Sequence, residues 1–366
     1  MRRSSLVIAV LLAACAADND PAAGGTSGTS SAGTADDSGS ATAPTASATA
    51  TETGTASGSP TSNADATATT APADTSTGGS DTGTSVGRGE VRFVAMGDAG
   101  EGNEGQFAVA AAIGTVCEER GCDFALYLGD NFYDVGVASD MDKQFQSKFE
   151  VPYAALDFPF YVTLGNHDYG TLGNEWAKSE YYIAYTEQSE KWTLPAEYYS
   201  FQEENVHFVS LDTNQVFWGV DIDAQSQFLQ QDLAGLTDTW IIMFGHHPYI
   251  SNGPHGNAGN YEGLFGLIGG EDVQEFMESE VCGKAHVYIC GHDHSKQWHE
   301  PQCGTEFIVS GGGAKLTDFE HRNDNPTIWE DDQTEGFLWV EIIDNSFTGV
   351  FYDRDGNEQY ERTITL

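Results

Sequence analysis

Residues 126–133 read LYLGDNFY. The apolar half predicts the end of a buried strand, Gly129 a tight turn, and Asp130 and Tyr133 side chains presented at the strand's C-terminal edge. Four more apolar runs close in the same way, at Gly97-Asp98, Gly165-Asn166, Gly245-His246 and Gly291-His292. One such junction is an ordinary turn. Five that present Asp, Asp, Asn, His and His point to a common centre, because ligands of open α/β sheets gather where strand C-termini point. With Tyr133 and His294 these residues form a candidate set of metal donors.

Outward from this stretch, composition divides the chain. Residues 18–88 are almost entirely Thr, Ser, Ala, Gly, Asp and Pro, with no aromatic residue. Such a segment buries too little apolar surface to offset its ordering entropy, so a disordered tether is expected. Residues 89–366 are long enough for one sizeable core. The chain carries a net charge of −41, and its 48 acidic and 12 basic residues beyond position 88 give that part −36. This argues against nucleic acid and anionic lipid as partners of the domain surface. The charge itself reads as a solubility adaptation.

The N-terminus reads as a targeting segment. Arg2 and Arg3 precede an apolar run, residues 6–12, too short to span a bilayer. Leu12-Ala13-Ala14-Cys15 resembles the lipobox of bacterial lipoproteins; an ordinary secretory cleavage site is the alternative. The expectation is a signal peptide over 1–14, a lipid anchor on Cys15, a tether over 15–88 and a catalytic domain over 89–366. The protein would then be an exported lipoprotein of the bacterial cell envelope, monomeric, touching the membrane only through its anchor. Of the other cysteines, Cys117–Cys122 and Cys282–Cys303 are candidate disulfides, although connectivity is not readable from sequence. Cys290, inside an apolar run, is expected buried and free.

Periodicity predicts strands at 90–96, 123–128, 158–164, 206–211, 239–244, 285–290, 306–310, 337–343 and 347–352. It predicts helices at 104–120, 140–150, 223–236 and 272–281. Early β/α alternation followed by late strand pairing fits an α/β fold of two mixed sheets, packed face to face and covered by helices.

Asp98, Asp130 and Tyr133 offer hard oxygen donors, and Asn166, His246 and His292 neutral ones. His294, two residues after His292, lets one loop address two ions. Two ions roughly 3.5–4 Å apart can share a carboxylate and clamp both oxygens of an in-line displacement; Asp130 lies in the right place to be shared. His207, His286, His299 and His321 read as structural. So does His247, with a supporting role beside a donor as the alternative.

The ordered series Gly97-Asp98, Gly129-Asp130-x-x-Tyr133, Gly165-Asn166-His167-Asp168, Gly245-His246 and Gly291-His292-x-His294 resembles the purple acid phosphatases. These belong to the calcineurin-like metallophosphoesterases, and the likeness, to the small tartrate-resistant type, covers essentially all of residues 89–366. Most of that superfamily carries Asp-x-His at the first motif. Here Gly100 holds the His position, and Tyr133 is the exchange that marks the purple subgroup. The resemblance implies a four-layer α-β-β-α sandwich. It implies Fe(III) held by Asp98, Tyr133 and His294, a divalent ion (Fe(II), Zn or Mn) held by Asn166, His246 and His292, and Asp130 bridging the two. Donor chemistry agrees, since a phenol with a pKa of about 10 needs a strongly charged ion to hold it as phenolate, and such hard donors suit a trivalent one.

The implied activity is that of an acid phosphatase on small phosphorylated substrates, with a metal-bound hydroxide attacking phosphorus. His167, beside Asn166, is the first candidate to protonate the leaving alkoxide, and His255, in a Gly-rich loop over 251–270, the second. Asp168 either orients His167 or is a turn carboxylate. A phosphodiesterase or nucleotide hydrolase on the same scaffold is the alternative. A non-catalytic surface lipoprotein ranks last, because all seven donor positions hold competent residues.

Overall fold

Strand alternation decides which face of each element meets which neighbour, and here it builds four layers. The computed structural model describes residues 89–237, 240–262 and 269–366. The expected signal peptide (1–14), Cys15 and the tether (15–88) lie outside the described residues. In chain order the first strands are β1 (Glu90–Met96), β2 (Phe124–Leu128), β3 (Phe160–Thr163), β4 (Trp192–Thr193), β5 (Tyr199–Glu203), β6 (Val206–Ser210) and β7 (Trp240–Phe244). They are followed by β8 (Val287–Cys290), β9 (Lys296–His299), β10 (Glu306–Ser310), β11 (Thr327–Asp331), β12 (Gly336–Ile343), β13 (Ser346–Asp353) and β14 (Glu358–Thr365). The first sheet has the order β14-β13-β12-β1-β2-β3-β4 and the second β11-β9-β10-β8-β7-β6-β5. Both are mixed: β1 pairs in parallel with β2 and antiparallel with β12, and β8 in parallel with β7 and β10 while β9 runs antiparallel to β10.

The two sheets meet through aromatic rings. Phe93 and Phe124 of the first sheet stack at 5.3 Å, and Phe208 of the second meets both edge-on, at 5.4 and 5.2 Å. On β6, β7 and β8 the alternate residues Phe208, Ile242, Phe244, Val287 and Ile289 join this central core, whereas Val209, Met243, Tyr288 and Cys290 face the other way. There they pack against Val216 of α4 (Thr213–Phe217), Leu229 of α5 (Ile222–Asp232) and Val273 of α6 (Glu271–Phe276). The first sheet is covered by α1 (Glu104–Arg120), whose Val109, Ile113 and Val116 are buried. The α/β sandwich expected from sequence is therefore the observed fold.

Several elements differ from the sequence reading. The helix over 140–150 is only α2 (Lys143–Phe145) continued by a π-helical turn, Gln146–Glu150. Two short helices, α3 (Ser179–Tyr185) and α4, went unrecognised, as did strands β4, β5, β9, β11 and β14. β4 has two residues, and β14 lies at a sheet edge with half of its residues exposed, so neither shows a clear apolar alternation. Both candidate disulfides are formed, and Cys290 is free and buried. No helix among the described residues is long and apolar enough to cross a membrane.

One buried group gives the fold a pH dependence. His299, on β9, is fully buried, and burial pushes its imidazole down to about 4. The unfolded chain binds that proton at about 6.5. Between these values the unfolded state holds more protons, so this contribution is complete above about pH 6.5 and is lost as the pH falls toward the folded value. Replacing His299 with Gln should reduce the stability lost between pH 7 and pH 4.5 by roughly 2.5 kcal/mol relative to the unaltered protein, measured by urea unfolding at both pH values.

Candidate metal centre

Parallel pairing in register brings the strand ends level. Met96 lies opposite Tyr127, Leu128 opposite Thr163 and Phe244 opposite Ile289. The chain leaves each strand through a glycine, so Asp98, Asp130, Asn166, His246 and His292 emerge at one edge. The Gly97 N–H donates across to the Ser310 carbonyl at 2.8 Å, joining the two sheets there. Asp98, Asp130 and His292 hold positive φ values of 57°, 51° and 71°. Non-glycine residues in this left-handed region are strained and concentrate at functional sites.

The seven candidate donors fall into two groups. In the first, the Tyr133 hydroxyl lies 3.0 Å from Asp98 Oδ1, 3.1 Å from Asp130 Oδ2 and 3.3 Å from His294 Nε2. In the second, His246 Nε2 lies 3.0 Å from Asn166 Oδ1, 3.1 Å from His292 Nδ1 and 3.4 Å from Asp130 Oδ2. Asp130 Oδ2 therefore belongs to both. Its other oxygen accepts the His167 N–H at 2.9 Å, which fixes the carboxylate. Asp98, Asp130 and His246 also offer atoms within 4.8 Å of one another, all buried.

This arrangement suits cations. His246 Nδ1–H donates to the Leu128 carbonyl at 2.9 Å, which leaves Nε2 as an acceptor facing an amide oxygen, a carboxylate and a second imidazole. Acceptors turned on acceptors in a buried site demand positive charge between them. Crowded together and buried, these groups shift one another's titration. Burial pushes the Asp98 carboxyl up to about 7, with His246 opposing. Although burial acts against it, His246 is raised to about 9, chiefly by Asp130. Asp130, despite its own burial, is held well below the usual carboxylate range by His246 and His167. Burial depresses His292 and His294.

His167 and His255 flank the donors. His167 Nδ1–H donates to the Asp134 carbonyl at 2.6 Å, leaving Nε2 4.0 Å from Asp130 Oδ2, and its ring lies 4.6 Å from that of Tyr133. His255 stacks on His292 at 4.2 Å, and its Nδ1 lies 2.9 Å from Glu262 Oε1. The suggestion that Asp168 orients His167 is corrected: the buried Asp168 carboxylate accepts from the N–H groups of Asn131, Phe132 and Gly165. It shapes the Asp130 turn, and the Asp134 carbonyl orients His167. His247 does support its neighbours, bonding Thr213 Oγ1 at 3.0 Å with its ring 4.5 Å from His292. His207 and His321 pair with Asp232 and Glu330, away from the donors.

Two glycines show how tightly the centre is built. A Cβ on Gly100 would lie 2.3 Å from the Asn131 carbonyl carbon and oxygen, so the chain leading to Tyr133 occupies the space a side chain at 100 would need. A Cβ on Gly165 would lie 2.2 Å from Asp130 Oδ1. Lys315 and Thr317 escaped the sequence reading. Lys315 Nζ sits over the Tyr133 ring, and Thr317 Oγ1 lies 2.9 Å from His294 Nδ1. Their only sequence signal is the Gly311-Gly312-Gly313 run before them.

Residues 91–296 match the family described as calcineurin-like phosphoesterase. The chain is 28% identical over 315 residues to tartrate-resistant acid phosphatase type 5 of Mus musculus, covering 75% of this chain and 90% of the mouse protein. It is 28% identical over 299 residues to purple acid phosphatase 4 of Arabidopsis thaliana, covering 75% of this chain and 83% of the plant protein. Its fold is similar to that of GAP50, the anchor in the inner membrane complex of Plasmodium, with a TM-score of 0.62 at 19% identity over 76% of this chain and 90% of the other. At that identity the likeness concerns fold alone.

Gly165 has an ordinary φ, so Gly165→Ala strains the site only by contact. The variant should keep its far-ultraviolet circular dichroism and lose at least half of its bound metal after dialysis, measured by elemental analysis. Full metal retention would show that Asp130 is free to move aside.

Proposed function

The chain belongs to the calcineurin-like phosphoesterases, and from that premise we propose that it is an exported, dinuclear-metal acid phosphatase acting on phosphomonoesters. The observation that carries this reading is the sharing of Asp130 Oδ2 between two donor groups, one with a phenol and one without. Asp98, Tyr133 and His294 would hold a ferric ion, and Asn166, His246 and His292 a divalent one. When bound, such a pair supplies Lewis acidity at phosphoryl oxygens and lowers the pKa of water. Export rests on the sequence alone, through the leader over 1–14 and the lipid anchor on Cys15.

The chain's own residues divide the remaining work. Asp130, fixed by the His167 N–H, keeps the two groups at one spacing. His167 has Nδ1–H committed to the Asp134 carbonyl, so Nε2 is the atom that holds or delivers a proton toward a leaving alkoxide. His255, held by Glu262 and stacked on His292, is placed to do the same from the other group.

Two measurements test this reading. The oxidised, iron-loaded protein should absorb visible light, look pink to purple, and hydrolyse an aryl phosphomonoester at least tenfold faster than the matching diester. Tyr133→Phe should abolish the band while leaving ring volume nearly unchanged. A colourless but active iron-loaded protein would make it an ordinary divalent-metal phosphoesterase, and a faster diester rate would move the assignment to phosphodiesterase.

A second prediction separates proton transfer from metal retention. His167→Ala should lower kcat by roughly 100-fold for alkyl phosphates, whose leaving groups need a proton, and much less for an activated aryl phosphate. Metal content should stay unchanged. Loss of metal in this variant would place His167 among the ligands.

A further inference from the structure

The loop over residues 311–317 wraps the Tyr133 side of the centre. The Gly313 N–H donates to the Gly97 carbonyl at 3.1 Å and the Thr317 N–H to the His294 carbonyl at 3.0 Å, so the loop is pinned beside both sheets. Between these pins Lys315 places its ammonium 3.6 Å from the centroid of the Tyr133 ring. Glu101 Oε1, 3.0 Å away, holds it there. The placement is selective. Only seven lysines lie beyond position 88 in this acidic chain, and a second, Lys148, donates from Nζ to the Tyr133 carbonyl.

A cation over an aromatic face is attracted by the ring's electrons, more strongly where water is excluded. Tyr133 is 3% exposed.

We propose that Lys315 is a tuning residue for Tyr133, stabilising the ring's electrons and so weakening the phenolate as a donor to a ferric ion. This rests on the reading of Tyr133 as an iron ligand. Two consequences follow from the weaker donor. Promoting an electron from the ring to the ion takes more energy with Lys315 in place. The ferric state is less favoured over the ferrous, so the midpoint potential is higher.

The test compares the iron-loaded, oxidised full-length protein with Lys315→Met and Lys315→Arg by visible spectroscopy and redox titration. Lys315→Met should move the band to longer wavelength, by about 10–30 nm on a Coulomb estimate, and lower the midpoint potential. Lys315→Arg, which keeps the charge, should stay near the unaltered protein in both. Lys315→Gln is the second neutral variant should Lys315→Met fold poorly, and circular dichroism and iron content confirm that each protein is intact. An unmoved band in an intact neutral variant, or Lys315→Arg shifting as far as Lys315→Met, overturns the proposal and leaves the reading of Tyr133 standing. Absence of any band in the unaltered protein overturns both.

Discussion

The centre depends on where one carboxylate points. Asp130 sits at φ 51°, a conformation that costs a non-glycine residue roughly 1–2 kcal/mol. Its surroundings leave it no other place. The His167 N–H grips Oδ1, Gly165 gives that oxygen room, and the turn behind it is laced to Asp168 through the N–H groups of Asn131, Phe132 and Gly165. Oδ2 is what remains, directed at the Tyr133 hydroxyl and at His246. Hydrogen bonds that touch no substrate thus set the geometry between the two donor groups.

The same residues explain how an acidic domain can attract an anion. Residues 89–366 carry −36, which at long range repels phosphate. At physiological ionic strength, however, exposed charges are largely screened beyond about 8 Å. The field inside the centre is set by buried groups, and there the chain has placed acceptors that call for cations, with Lys315 and Lys148 against Tyr133. Local arrangement outweighs net charge because screening acts on the surface acids far more than on the buried cluster.

Fold alone would not have led to this reading. The sandwich is shared with GAP50, which is described as a membrane-complex anchor, and unrelated functions recur on common folds. The specific element is the exchange at the first motif. The Asn131 backbone fills the space beside Gly100, and the same stretch carries Tyr133 to the donors. Within this chain the missing side chain at 100 and the phenol at 133 are one structural event, because the segment that excludes the first delivers the second.

The sequence by itself determined the scaffold and the set of candidate donors. β1 and α1 begin and end where apolar periodicity placed them. The repeated run, glycine and polar residue picked out candidate donors that the fold brings together, because parallel strands of similar length must end level and release their next residues at a common edge. Tertiary structure decided what has no local signature. The left-handed backbone at Asp98, Asp130 and His292, the stacking of His255 on His292, and the role of Asp168 follow from neighbours distant along the chain or from turn geometry. The seat of Lys315 over Tyr133 joins residues 182 positions apart in sequence. Periodicity reports only which face of an element is buried; it carries no record of which distant side chain will be pressed against that face.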